Sequence, residues 1–231
     1  MSTDPRLYII ATPIGNLKDI TYRAVEVLGE VSLIAAEDTR RTKILLDHYQ
    51  IKTPVISYFE HNRFTRIPQI MDHLEEGRQV AVVTDAGTPG ISDPAYRLIR
   101  AAIERNITIE SLPGAAAFLT ALVCSGLPTD SFRFVGFLPP KKGRRGKLRK
   151  LEDSTETLIF YESPHRIIRT LQDIENVLGN RPAVIGRELT KMNEEVVRGR
   201  ISDLITHFKN KKPLGEFVLL IGKDDVNVYF D

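Results

Sequence analysis

The sequence predicts two α/β domains, the first built on a mostly parallel sheet and the second on a mixed one. Three observations carry that reading. Short apolar runs alternate with stretches of helical periodicity through the first half of the chain. After residue 150 the balance shifts toward strand. Between the two patterns lies PPKKGRRGKLRK (139–150), a dense basic segment that reads as a linker or loop. A boundary near 130 gives an N-terminal domain at 1–130 and a C-terminal domain at 131–231, sizes that can each bury a modest core.

Taken in order, the strand-like runs of the first half are LYIIA (7–11), SLIAA (32–36), PVISYF (54–59), QVAVVT (79–84) and ITIESL (107–112). Helical spacing separates them: Ile20, Ala24, Val27, Leu28 and Val31, then Phe64, Ile67, Ile70, Met71 and Leu74, then Leu98, Ile99, Ala102 and Ile103. Beyond the basic segment come TLIFYE, a helix over about 164–178, AVIGRELT, then VVRGRI with Leu204, Ile205 and Phe208, and finally EFVLLIG. No apolar stretch approaches the length of a membrane span, and the N-terminus lacks a secretion signal, so a cytoplasmic protein is expected. Cys124, the single cysteine, sits in AAAFLTALVC and reads as a small buried side chain. The net charge is +2; seven positive charges fall in 139–150, so the rest of the chain carries −5. A local basic patch on a mildly acidic protein suggests a polyanionic partner.

In an open parallel sheet, ligands bind beyond the carboxyl ends of the strands. Here the five runs empty into ATPIGN, EDTRR, EHNR, DAGTPGISDP and PGAAAF, an edge rich in glycine, proline, small residues and acids. Gly87 and Gly90 permit close backbone approach, and the alanines of PGAAAF leave the first amides of a helix accessible. Neither G-x-G-x-x-G nor a P-loop is present, and the five histidines are scattered, so neither a dinucleotide, a triphosphate nor a metal is expected. Carboxylates with small residues and no phosphate clamp suit a nucleoside-like ligand with a positive centre, a description that S-adenosylmethionine meets.

ATPIGNLKDIT, AEDTR, TDAGTPGISDP, LPGAAAF, FYESPHR and GRELTK, in that order, resemble the ribosomal RNA small-subunit methyltransferase I family of the tetrapyrrole methylase superfamily. The resemblance implies two α/β domains of the tetrapyrrole methylase type with the cofactor in a cleft between them, and usually a homodimer. It implies S-adenosylmethionine-dependent methylation of a cytidine 2′-hydroxyl in the decoding region of 16S rRNA, free or in the small ribosomal subunit. Many members also carry a small further C-terminal domain. By similarity, Pro13, Asp85, Thr88, Ala116, Ala117, Glu162 and Leu189 fall at cofactor positions.

A ribose hydroxyl is a poor nucleophile and calls for a nearby base or strong acceptor. The candidates are Glu37, Asp38, Glu162 and His165. Arg40, Arg166, Arg187 and Lys191 are available for RNA phosphates, as are Lys141, Lys142, Arg144 and Arg145 of the basic segment. Two alternatives remain on sequence alone: a methyltransferase acting on a porphyrin precursor, and a non-catalytic RNA-binding protein of ribosome assembly.

Overall fold

The apolar runs of the first half become β1 (Arg6–Ile10), β2 (Leu33–Ala36), β3 (Val55–Ser57), β4 (Gln79–Val83) and β5 (Thr108–Leu112). Between them stand α1 (Tyr22–Glu30), α2 (Thr39–His48), α3 (Arg63–Glu75) and α4 (Ala95–Glu104). In this computed structural model, which describes residues 5–230, the chain forms two units, Met1–Ala116 and Ala117–Asp231.

All five strands of the first unit are parallel, in the order β3-β2-β4-β1-β5. Alternation decides which face each side chain serves. Leu7, Ile9, Val80 and Val82 meet Ile70, Leu74 and Leu98 of α3 and α4, whereas Tyr8, Ile10, Ala81 and Val83 meet Ala24, Leu28 and Leu46 of α1 and α2. Burial on both faces explains why these strands read as continuous apolar runs. The threonine hydroxyl of Thr21 caps α1 by accepting from the Ala24 amide at 3.2 Å. EDTRR is only partly a loop, because Asp38 caps α2 and Thr39 opens it.

The second unit contains α5 (Ala117–Ser125), β6 (Phe132–Phe137), α6 (Arg144–Arg149), β7 (Thr157–Glu162), α7 (Ile167–Leu178), β8 (Pro182–Arg187), β9 (Glu195–Arg200), α8 (Ile201–Asn210) and β10 (Phe217–Ile221). Its sheet runs β6-β7-β10-β8-β9, parallel only between β6 and β7, and so is mixed. Leu158, Phe160, Leu219 and Ile185 form one core with Leu148 of α6, Leu171 and Ile174 of α7, and Leu204 and Phe208 of α8. The opposite sheet face receives α5, which packs on β7, β8 and β10.

Two expectations change. The basic segment is not all linker or loop: Gly143 turns in the left-handed region (φ 85°), and α6 follows, with Leu148 fully buried. Leu148 within it and Leu151 just after it anchor it to the core despite the surrounding charge. Cys124 is exposed rather than buried. Only Ala121, Leu122 and Ser125 of α5 are turned inward, and Cys124 lies on the other side of that helix.

Candidate active site

Strand order brings the motif loops together. With β1 between β4 and β5, the turns that follow these three strands are neighbours on the carboxyl edge of the first sheet, and β2 adds its own turn beside β4. Thr12 and Gly87 exchange backbone hydrogen bonds, each 2.9 Å, joining the first loop to the fourth. The Thr12 hydroxyl donates to the Thr84 carbonyl at 3.0 Å, and the Thr88 hydroxyl donates to the Ala115 carbonyl at 3.1 Å. Gly114 lies so close to the end of β1 that an added Cβ would stand 2.7 Å from the Ala11 Cβ. Gly87 holds a positive φ of 87°, which a side chain would strain. The first, fourth and fifth loops are therefore one laced unit of backbone, carrying Pro13, Asp85, Thr88 and Ala116.

The carboxylates stand on the same edge. Glu37, just past β2, accepts from the Thr84 hydroxyl and from the Asp85 amide at 3.2 Å. Asp85 accepts from the Asp38 amide at 3.0 Å and faces Arg41 at 3.4 Å. Burial, reinforced by the charge of Glu37, raises the Asp85 pKa above the usual carboxylate range even with Arg41 present. Asp38 behaves oppositely. Hydrogen bonds from the Arg40 guanidinium and from the Arg40 amide at the start of α2 lower it to about 2. Asp38 is thus a helix cap and an arginine partner, a weakly basic carboxylate. Arg40 lies at the surface in that pair.

Several members of this edge escaped the motif reading. Asp93 accepts from the amides of Gly90 and Ala95, so it shapes the turn of DAGTPGISDP and starts α4; burial raises its pKa. Together with Glu37, Tyr58 and Thr84 it lines a small cavity under the edge. Thr12 and Thr84, single small polar residues at strand ends, were the available signal.

In the second unit, Glu162 ends β7 with its side chain buried. One oxygen accepts from the Ser163 amide at 2.8 Å and pairs with Arg166 at 3.2 Å; the other accepts from the Thr170 hydroxyl at 2.6 Å. Arg144, also buried, donates to the same hydroxyl and pairs with Asp173 at 2.8 Å. This network fixes the ESPHR turn and ties it, through the bond from Arg166 to the Leu138 carbonyl at 2.6 Å, to the start of the basic segment. The Glu162 carboxylate is committed inward, and His165 stands exposed on the turn above it. Ala117 opens α5.

GRELTK forms the β8–β9 turn, with Glu188 and Thr190 at positive φ of 50° and 66° on either side of buried Leu189. Lys191 binds Glu188 and Glu216, each at 2.9 Å, and despite burial these bonds raise its pKa. Arg187 pairs with Glu195 at 3.0 Å. Of the eight basic residues expected to face RNA, Arg40, Lys141, Lys142 and Arg145 are exposed, Arg166, Arg187 and Lys191 are engaged locally, and Arg144 is buried. The Arg144 guanidinium is held instead by Thr170 and Asp173. Among the described residues no group of His, Cys, Asp and Glu is arranged to hold a metal, and no helix is long and apolar enough to cross a membrane.

A model of the tetrapyrrole (corrin/porphyrin) methylases matches residues 6–205. The chain is 51% identical over 216 residues to a ribosomal RNA small subunit methyltransferase I of Halalkalibacterium halodurans, covering 93% of this chain and 75% of that one. It is 48% identical over 220 residues to the protein of the same name from Thermotoga maritima, covering 95% and 99%. Among solved structures, a cobalt precorrin-4 methyltransferase superposes with a TM-score of 0.70 at 19% identity, covering 94% of each chain. A diphthine synthase structure from Entamoeba histolytica gives 0.69 at 19% identity, covering 96% and 94%. The structural likenesses concern the fold, while the family match spans all six motifs and the sequence identity covers more than nine-tenths of the chain: the chain belongs to the tetrapyrrole methylase family and, within it, to the ribosomal RNA small subunit methyltransferase I group.

Proposed function

We propose that this chain is an S-adenosylmethionine-dependent methyltransferase of 16S ribosomal RNA, acting on the 2′-hydroxyl of a cytidine in the decoding region. The observation that carries the reading is identity of 48% or more, over more than nine-tenths of the chain, to two proteins named for methylating small-subunit rRNA.

The chemistry of the first sheet's edge fits the cofactor. Backbone groups of the laced loops at Pro13, Gly87, Thr88 and Ala116 would hold its ribose and amino-acid portions, with Asp85 as an acceptor. No phosphate clamp is needed. When bound, the cofactor supplies a methyl group activated by a sulfonium. The work left to the protein is to align the nucleophile, exclude water and accept a proton. Of the four proposed bases, Asp38 is made weak by its arginine, and Glu162 is enclosed. The better acceptor is Asp85, whose burial, reinforced by the charge of Glu37, favours its protonated form. Glu37 orients Asp85 through its amide, and Thr84 fixes Glu37 in turn. Exposed Lys141, Lys142 and Arg145 would position RNA through its phosphates without reading bases.

Incubation of undermethylated small-subunit rRNA with protein and cofactor, followed by nuclease digestion and mass spectrometry, tests all parts together. A new 2′-O-methylcytidine in the decoding region is expected. A methyl group on a base, or on a porphyrin precursor offered in competition, would replace this reading.

A further inference from the structure

We propose that an aromatic row on the edge of the second sheet is a stacking platform for unpaired bases of the RNA. The inference rests on the rRNA reading above and specifies which form of RNA the surface takes.

Phe132, Phe134 and Phe137 lie on β6, an edge strand. Strict alternation would place Phe137 with Val135, on the face that packs against the main core. A bulge between Phe134 and Gly136, with Gly136 at φ 68°, shifts the register, so Phe134 pairs with Ile159 and Phe137 with Tyr161. Bulges of this kind re-aim a side chain. The result is a chain of rings: Phe132 to Phe118 at 6.4 Å, Phe118 to Phe134 at 4.9 Å, Phe134 to Tyr161 at 5.0 Å and Tyr161 to Phe137 at 5.6 Å. The inner rings are partly covered, but Phe132 and Phe137 at the ends are 41% and 53% exposed.

Charge identifies the occupant. Residues 131–150 carry eight Lys and Arg and no Asp or Glu. Lys147 is taken up by the open edge of β6, donating to the carbonyls of Val135 and Phe137 at 3.0 and 3.4 Å. Lys141, Lys142 and Arg145 stay exposed, as does Arg133, which pairs with Leu158 and so lies on the other face of β6 from Phe132 and Phe134. Exposed Phe137 precedes Lys141, Lys142 and Arg145 by four, five and eight residues, and exposed aromatic rings with unpaired cations are the two components of single-strand recognition, stacking for bases and charge for phosphates. A second copy of the chain is disfavoured, because a two-fold interface would set this cationic strip against itself. A duplex hides its base faces and could use the charges alone.

The test uses the intact chain with a short fluorescein-labelled single-stranded oligoribonucleotide, and with its blunt duplex. Phe132→Leu and Phe137→Leu, checked for native thermal melting, are each expected to lower single-strand affinity about fivefold or more. The slope against salt and the duplex affinity should stay unchanged, and Phe137→Tyr should retain binding. Since the chain has no tryptophan, Phe137→Trp supplies one emitter, expected to be quenched by the oligonucleotide and not by inorganic polyphosphate. Unchanged affinity in both leucine variants, or binding without quenching, overturns the platform. So does loss of self-association at unchanged RNA affinity. A wild-type protein that neither binds nor methylates rRNA overturns the rRNA reading itself, whereas full methylation by both leucine variants overturns only the platform.

Discussion

Removing the buried guanidinium of the basic segment should unfold the second unit far more readily than removing its neighbour. Arg144 is 3% exposed, and its partners Thr170 and Asp173 both come from α7. In Arg144→Ala, Asp173 loses its cation and the Thr170–Glu162 pair loses a donor. Breaking a buried ion pair from one side costs about 3–5 kcal/mol. Asp173 keeps 17% exposure, so water relieves part of the loss, and the lower end, about 3 kcal/mol, is expected. For a chain of this size that corresponds to a fall in Tm of roughly 6–12 °C, read by circular dichroism. Arg145→Ala, one residue along and exposed, should stay within about 0.5 kcal/mol of wild type. RNA binding should separate the two in the other direction: Arg145→Ala flattens the salt slope by about 0.7, and Arg144→Ala, once folded, leaves it alone. A variant Arg144→Ala that melts like wild type and flattens the slope would show a phosphate ligand and refute the anchoring role.

Three further outcomes are expected. Gly114→Ala should cost about 1–3 kcal/mol by forcing β1 and the fifth loop apart, whereas Gly29→Ala in α1, where an added Cβ meets nothing within 4 Å, should gain about 0.5–1 kcal/mol; thermal melts of both decide it. Asp38 has a folded pKa of about 2 against an ordinary 3.8, so its stabilisation is full above about pH 4 and disappears as pH falls toward 2; the deficit of Asp38→Asn in acid titrations should vanish over that window. Asp85 has a raised pKa, so the folded state favours its protonated form and stability is lost as pH rises through that value. Asp85→Asn should therefore melt higher than wild type at pH 7, converge with it in acid, and bind S-adenosylmethionine more weakly by calorimetry.

The strands of the first sheet were legible because burial on both faces leaves unbroken apolar runs such as QVAVV, bounded by glycine and acid. The loops after β1, β4 and β5 were legible as motifs, yet their adjacency was not, because it follows from the order β3-β2-β4-β1-β5 and no local pattern encodes long-range pairing. β6 stayed hidden: FRFVGF breaks its own alternation at the Gly136 bulge. The burial of Arg144 was equally invisible. A guanidinium among lysines and arginines reads as solvated, and the groups that bind it, Thr170 and Asp173, are supplied by α7. Glu162 shows the same limit, since a carboxylate after a strand has the same appearance whether it faces a ligand or turns inward to Arg166 and Thr170.

The position of β1 in the middle of its sheet has a consequence during synthesis. The strand leaves the ribosome first among the ten strands of the described residues, but its partners are Gln79–Val82 on one side and Thr108–Leu112 on the other. At ordinary elongation rates about 5–20 s pass between the making of Ile10 and of Leu112. Throughout that interval LYII is an unpaired apolar strand with both edges open, the species most exposed to wrong pairing. The second sheet repeats the delay from the opposite end, because β10, the last strand, fills the gap between β7 and β8. Each sheet is thus sealed only when its latest partner arrives, and a growing chain halted before Phe217 would hold β7 and β8 with nothing between them.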